Sequence, residues 1–134
     1  MKSSFLNQLF IILFVSISLV SCDVDDKGMP LQVFEKAVLN ETLEEIFELA
    51  NSVPCTDSSN WDYTAYGAKA CGGPQGYLAY SKQMNDVTTF LKKVDEYSKA
   101  EKAFNMKWGV ASTCDLILAP SSVECENGVP VFKY

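Results

Sequence analysis

The chain has 134 residues, a net charge of −6 and no histidine, which is the length of one domain. Its acidic surface is repelled by phosphate backbones, and arginine, the usual bidentate reader of phosphate, is absent, so nucleic acid is not expected as a partner. Without histidine, Ser-His-Asp, Cys-His and His-metal sites are all excluded; a carboxylate pair such as Asp57 with Asp62, or Glu124 with Glu126, is what remains for acid–base work. Acids at such spacing are usually solvated loop or strand faces, and a protein that is not an enzyme and needs no cofactor is expected.

In chain order, Lys2 precedes an apolar run from Phe5 to Val20 that is shorter than the roughly 20 apolar residues of a spanning helix and contains Asn7, Gln8, Ser16 and Ser18. It reads as the n-region and h-region of an export signal. The run ends in Leu19-Val20-Ser21-Cys22, which resembles the lipobox of bacterial lipoproteins. That resemblance implies cleavage before Cys22 and acylation of its side chain, with two chains sufficient for stable anchoring. An ordinary secretory signal with an accidental cysteine is the competing reading. The expected organisation is a signal peptide at 1–21, a lipidated tether at 22–30 and one domain at 31–134. Asp23, Asp25 and Asp26 resemble the acidic patch after the cysteine in some surface-exposed lipoproteins of Bacteroidota, which implies a bacterial cell envelope address at the outer membrane; the competing reading is that Asp directly after the cysteine resembles an inner-membrane retention signal of enteric bacteria.

From Leu31 to Ser52 the apolar residues Phe34, Val38, Leu39, Leu43, Ile46, Phe47 and Ala50 recur at helical period, with a break expected near Asn40. Asn40-Glu41-Thr42 is a glycosylation sequon, which the lipobox argues against using. Aromatic alternation at 61–66 and 77–80 predicts two short strands around the turn Cys71-Gly72-Gly73-Pro74-Gln75-Gly76. Asp86 to Trp108 predicts a second amphipathic helix, with Gly109 as its C-cap. Asn127-Gly128 between Val123–Glu126 and Val129–Tyr134 predicts a hairpin, in which Pro130 leaves its donor side unpaired. The fold class is α+β, two amphipathic helices packed on a small antiparallel sheet and stapled by two disulfides.

The chain has five cysteines, an odd number that becomes even once Cys22 is assigned to lipid. Cys55, Cys71, Cys114 and Cys125 then make two disulfides, and loop-closure cost favours the local pairs Cys55 with Cys71 and Cys114 with Cys125, each worth about 3 kcal/mol in the chain-entropy model. A zinc site is the competing use of four thiols, but no metal is expected, because there is neither a C-x2-C knuckle nor a histidine.

Taken together, Cys55-Thr56-Asp57, Trp61, Gly67, Lys69-Ala70-Cys71-Gly72-Gly73-Pro74, Tyr80-Ser81, Trp108-Gly109, Cys114 and Cys125-Glu126-Asn127-Gly128 resemble a family of small, disulfide-containing Bacteroidota lipoproteins of unknown function. The resemblance spans most of residues 53–134 and implies neither an activity nor site residues. The residues themselves suggest a binding surface at Trp61, Tyr63, Tyr66, Gly72, Gly73, Pro74, Tyr77 and Tyr80, where glycines permit close backbone approach and aromatics supply contact area. Trp108 and Phe104 are expected in the core. The expected function is a lipid-anchored, non-enzymatic binding module for a protein or glycan ligand. The alternative is an inhibitor of a secreted hydrolase that inserts the 71–76 loop into a cleft.

Overall fold

A computed structural model describes residues 29–134, arranged as α1 (Met29–Ala50), a 3-10 turn (Ser58–Asn60), β1 (Trp61–Tyr66), β2 (Gly76–Ser81), α2 (Val87–Trp108), β3 (Ser122–Glu126) and β4 (Val129–Lys133). The expected signal, Cys22 and the tether as far as residue 28 lie outside the described residues. Met29 and Pro30, expected in the tether, instead begin α1. Proline is tolerated in a first helical turn because its missing N–H would have no partner there. Nor does α1 break at Asn40: that residue is exposed, so it costs only a few tenths of a kcal/mol in propensity. The helix instead buries Leu39, Ile46 and Ala50, spaced seven and four residues apart along one stripe.

Both ends of α2 are closed by side chain and backbone geometry. Asp86 accepts from the Thr89 N–H at 2.9 Å and from its hydroxyl at 2.7 Å. Gly109 sits in the left-handed region at φ 59° and donates its N–H to the Asn105 carbonyl. Along its buried seam α2 presents Phe90, Val94, Tyr97, Glu101 and Phe104 at alternating four- and three-residue steps, so one acid occupies a position otherwise held by apolar groups. The helices are further joined across their ends by Glu35, whose carboxylate accepts from Lys107 Nζ at 2.6 Å and Trp108 Nε1 at 2.8 Å.

The strands form two antiparallel hairpins, β1–β2 and β3–β4, rather than one sheet. The reason lies in the period-two pattern of β1–β2. Tyr66, Leu78 and Tyr80 belong to the core shared with α1 and α2, whereas Trp61, Tyr63 and Ala79, on the opposite face, pack with Cys55, Val123 and Phe132. A hairpin that is apolar on both faces needs a cover on each. The helices supply one and the β3–β4 hairpin, stacked face to face, supplies the other.

The β3–β4 turn takes positive φ at Asn127 (50°) and Gly128 (84°), as a two-residue hairpin loop requires. Glu126 and Val129 flank the turn, so the next pair, Cys125 with Pro130, points its N–H positions away from the ladder. Pro130 therefore forfeits no ladder bond, and the Cys125 N–H donates outward to Ser58 Oγ at 2.9 Å.

The local disulfide pairing is overturned. Cys55 is bonded to Cys125, 70 residues away, with their Cα atoms 5.2 Å apart, while Cys71 and Cys114 lie side by side as free thiols, so one of the two expected disulfides is present among the described residues. The Cys55 N–H donates to the Gly128 carbonyl at 2.9 Å, which seats residue 55 against the second hairpin. Lengthening a loop costs only about 0.6 kcal/mol per doubling, too little to outweigh the packing that stacks the hairpins.

Candidate functional site

The loop joining β1 to β2, residues 67–75, is moored to α2 by polar side chains one and two turns apart. Gly67 N–H donates to Ser98 Oγ at 2.9 Å, Ala68 N–H to Glu101 Oε2 at 2.8 Å, and Asn105 Nδ2 donates to the Ala68 carbonyl at 2.7 Å. Glu101, only 3% exposed, also accepts from the Tyr97 hydroxyl at 3.2 Å and the Gln75 amide at 3.4 Å, with Lys36 Nζ 3.8 Å away. A buried carboxylate supplied with this many donors is stabilised as an acceptor. The loop then folds on itself: Lys69 N–H donates to the Gly73 carbonyl and Gly72 N–H to the Lys69 carbonyl.

Held in this way, the loop and the outer side of α2 enclose a cleft of ≈ 400 Å³ walled by Ala68–Ala70, Gly72, Gly73, Ser98, Lys99, Lys102, Asn105, Met106 and Val110. Three lysines line it and no acid does, in a chain whose net charge is −6. Lys69 Nζ donates to the Asp115 carbonyl at 2.7 Å. The Lys99 ammonium is held above its usual range by its hydrogen bond from Nζ to Asp95, 2.6 Å long. Lys102 makes no ion pair among the described residues and is exposed.

At the rim, Cys71 and Cys114 are both exposed. Cys71 donates its N–H to Ser112 Oγ at 3.3 Å, and its Sγ lies 3.4 Å from the Thr113 carbonyl and 3.5 Å from Ser112 Oγ. The hydrogen bond with Cys114, then that with Ser112, pulls the Cys71 thiol below its ordinary range, and the bond to Cys71 pushes Cys114 up.

The anticipated aromatic surface is reduced to three partly exposed rings. Trp61 (6% exposed) and Tyr80 (7%) are in the core. Tyr63, Tyr66 and Tyr77 are half-buried and packed edge-on, Tyr66 against Phe47 and Tyr63 against both Tyr77 and Phe132. Covering both faces of β1–β2 consumes these rings. Gly72 and Gly73 do line the cleft, whereas Pro74 does not. Phe104 is buried as expected, and Trp108 packs partly buried beside it.

No family model, curated protein or solved structure matches the chain.

The carboxylates singled out for acid–base work have other partners. Asp57 accepts from the Ser59 N–H and the Asn60 amide, Asp62 from the Tyr63 N–H, and Glu124 and Glu126 share Lys133 at 3.4 and 2.6 Å. Among the described residues no three cysteines or carboxylates converge, so the four thiols do not gather as a zinc site would require. Sequence reasoning missed Ser98, Glu101, Asn105 and the cleft lysines. Glu101 did leave a signal, as the one acid in the four-three seam of α2.

Proposed function

We propose that this chain is a lipid-anchored protein of the bacterial envelope, at the outer membrane, that binds a small anionic ligand or an anionic group of a glycan or protein without turning it over. The observation that carries the binding reading is the acid-free wall of three lysines in a net-acidic chain. A concave site with a few convergent charges fixes a small ligand's orientation, and the moored loop lowers the ordering cost of binding. Lys102, which makes no ion pair among the described residues, is the charge most available to a ligand carboxylate or phosphate. The anchoring reading rests on Leu19-Val20-Ser21-Cys22 and on the resemblance to Bacteroidota lipoproteins; the lack of histidine supports a non-catalytic role.

The binding test is thermal melting in inorganic phosphate, succinate and a uronic-acid oligosaccharide, each against chloride at equal ionic strength. At least one should raise the midpoint saturably, and Lys102→Glu should weaken it tenfold or more, as losing a hydrogen bond to a charged group, about 1.5–3 kcal/mol, implies. If none of the three stabilises the protein more than chloride does, the cleft is not an anion site. Anchoring is tested separately: Cys22→Ala should abolish acylation and leave an unprocessed or differently cleaved species, and mass spectrometry finding an unmodified mature Cys22 would refute it.

A hydrolase inhibitor is the second reading, favoured by the exposed Cys71-Gly72-Gly73 turn with its hydrogen-bonded base. It requires that Gly73→Val abolish hydrolase binding while Lys102→Glu leaves it intact.

A further inference from the structure

Residues 111–120 have no regular secondary structure. Among the described residues, their hydrogen bonds to the rest of the fold run only to Lys69 and Cys71: Lys69 Nζ to the Asp115 carbonyl, Cys71 N–H to Ser112 Oγ, and the contacts of Cys71 Sγ with Ser112 and Thr113. Residues 111–116 are all exposed, Leu116 at 83%, and Leu118 is 64% exposed; apolar burial is confined to the far end, at half-buried Ile117 and buried Pro120. The mooring of its first half, residues 111–116, is therefore the point where Cys71 meets Cys114. The other cysteine pair differs in setting, since Cys55 is 2% exposed in the core between the hairpins, with Cys125 partly buried against it.

We propose that Cys71 and Cys114 are a reversible dithiol–disulfide pair, open to an organic disulfide as oxidant, which locks the 111–120 segment onto the cleft-bearing loop while Cys55–Cys125 stays closed. Access separates the two pairs, because exchange needs a thiolate to reach a sulfur in line, which solvent permits at Cys71 and packing forbids at Cys55. The Cys71 thiolate attacks one sulfur of the oxidant, breaks its S–S bond and releases the other sulfur as a thiolate. Cys114, giving up its proton, then attacks the Cys71 sulfur of the mixed disulfide and expels the second oxidant thiolate. The oxidant is reduced by two electrons to two thiols, which take up the two protons, and the pair is oxidised by two. The lowered thiol of Cys71 suits it to the first attack.

The lock closes beside Lys69, a wall residue of the cleft, so its state sets the position of that wall. The proposal stands apart from the anion reading, because its test needs no cleft ligand. The purified full chain is equilibrated under native conditions with oxidised or reduced glutathione, alkylated with N-ethylmaleimide and mapped by mass spectrometry. Oxidised glutathione should yield a Cys71–Cys114 cross-linked peptide. Reduced glutathione should expose only those two of the four domain cysteines to alkylation, Cys55 and Cys125 reacting only after denaturation. Chymotryptic cleavage at the exposed Leu116 and Leu118 should be at least tenfold faster on reduction, and Cys71→Ser should show the fast rate in both buffers, with Cys114 alkylated in reduced glutathione. The proposal is overturned if Cys71 and Cys114 stay free in oxidised glutathione, if their bond resists reduction as long as Cys55–Cys125, or if the segment is cleaved at the same rate in both states.

Discussion

Gly67 shows how tightly the cleft-bearing loop is built. Its φ is 72°, and a Cβ there would lie 2.5 Å from Gln75 Cγ and 2.8 Å from Glu101 Oε2. Gly72, five residues on, has φ 101° but nothing within 4 Å of such a Cβ. Both positions strain an L side chain, at about 1–2 kcal/mol, but only Gly67 adds a clash with the buried acid that moors the loop. Gly67→Ala is therefore expected to cost clearly more than Gly72→Ala in urea unfolding, with Gly72→Ala near the strain value alone. Equal losses would mean that Glu101 and Gln75 move aside freely. At this scale the sequence was partly legible: the run of glycines announced a special backbone, but which glycine is indispensable depends on Glu101, 34 positions further along the chain. The aromatics misled for a related reason. Alternation places Tyr63, Tyr66 and Tyr77 on strand faces correctly, yet it cannot reveal that both faces are covered.

At the scale of elements, local signals were strongest where one short motif decides the geometry. Asp86 and Gly109 closed α2, and Asn127-Gly128 turned the second hairpin, because caps and two-residue turns are satisfied within a few residues. What joins α1 to α2 is less local, and Glu35 is its clearest polar contact. Its carboxyl is held below the ordinary carboxylate value of about 4.3, first by the hydrogen bond from Lys107 and then by that from Trp108. A carboxyl whose folded pKa is depressed adds stability that is fully present above its unfolded value and is lost as the pH falls through the folded one. Glu35→Gln should accordingly lower the melting temperature at pH 7. The gap to the parent should narrow as the pH drops below about 4.3 and close once the parent carboxyl is protonated. Asp57 and Asp86 are also held low, each by its hydrogen bonds to the start of a helical turn, but both are present in parent and variant and cancel in the difference. A gap that stays constant from pH 7 to pH 3 would show that the residue acts through packing instead.

For the whole molecule, the decisive relation is between segments far apart in the chain, and this is where sequence reasoning had least to work with. Helices, strands and the α+β class follow from periodicity, but the division into two stacked hairpins and the disulfide partners follow from which faces meet. Cys55 precedes the first hairpin and Cys125 lies in β3, so their bond closes a loop of 70 residues that contains β1, β2 and all of α2. In the chain-entropy model a loop of that size stabilises the fold by about 4 kcal/mol, against about 3 for a 15-residue loop. The bond also sits where Trp61, Ala79 and Val123 form the second core, so opening it loosens the stacking of the hairpins. The double variant Cys55→Ala, Cys125→Ala should lose about 4 kcal/mol in denaturant unfolding, with a larger m-value because the unlinked denatured chain exposes more surface. With Cys71 and Cys114 kept as the free thiols of this structure, the pair Cys71→Ala, Cys114→Ala should cost much less, since no loop is closed there and both side chains are exposed. A reversed order of losses would place the principal staple at the cleft rim and contradict the stacked-hairpin account of stability.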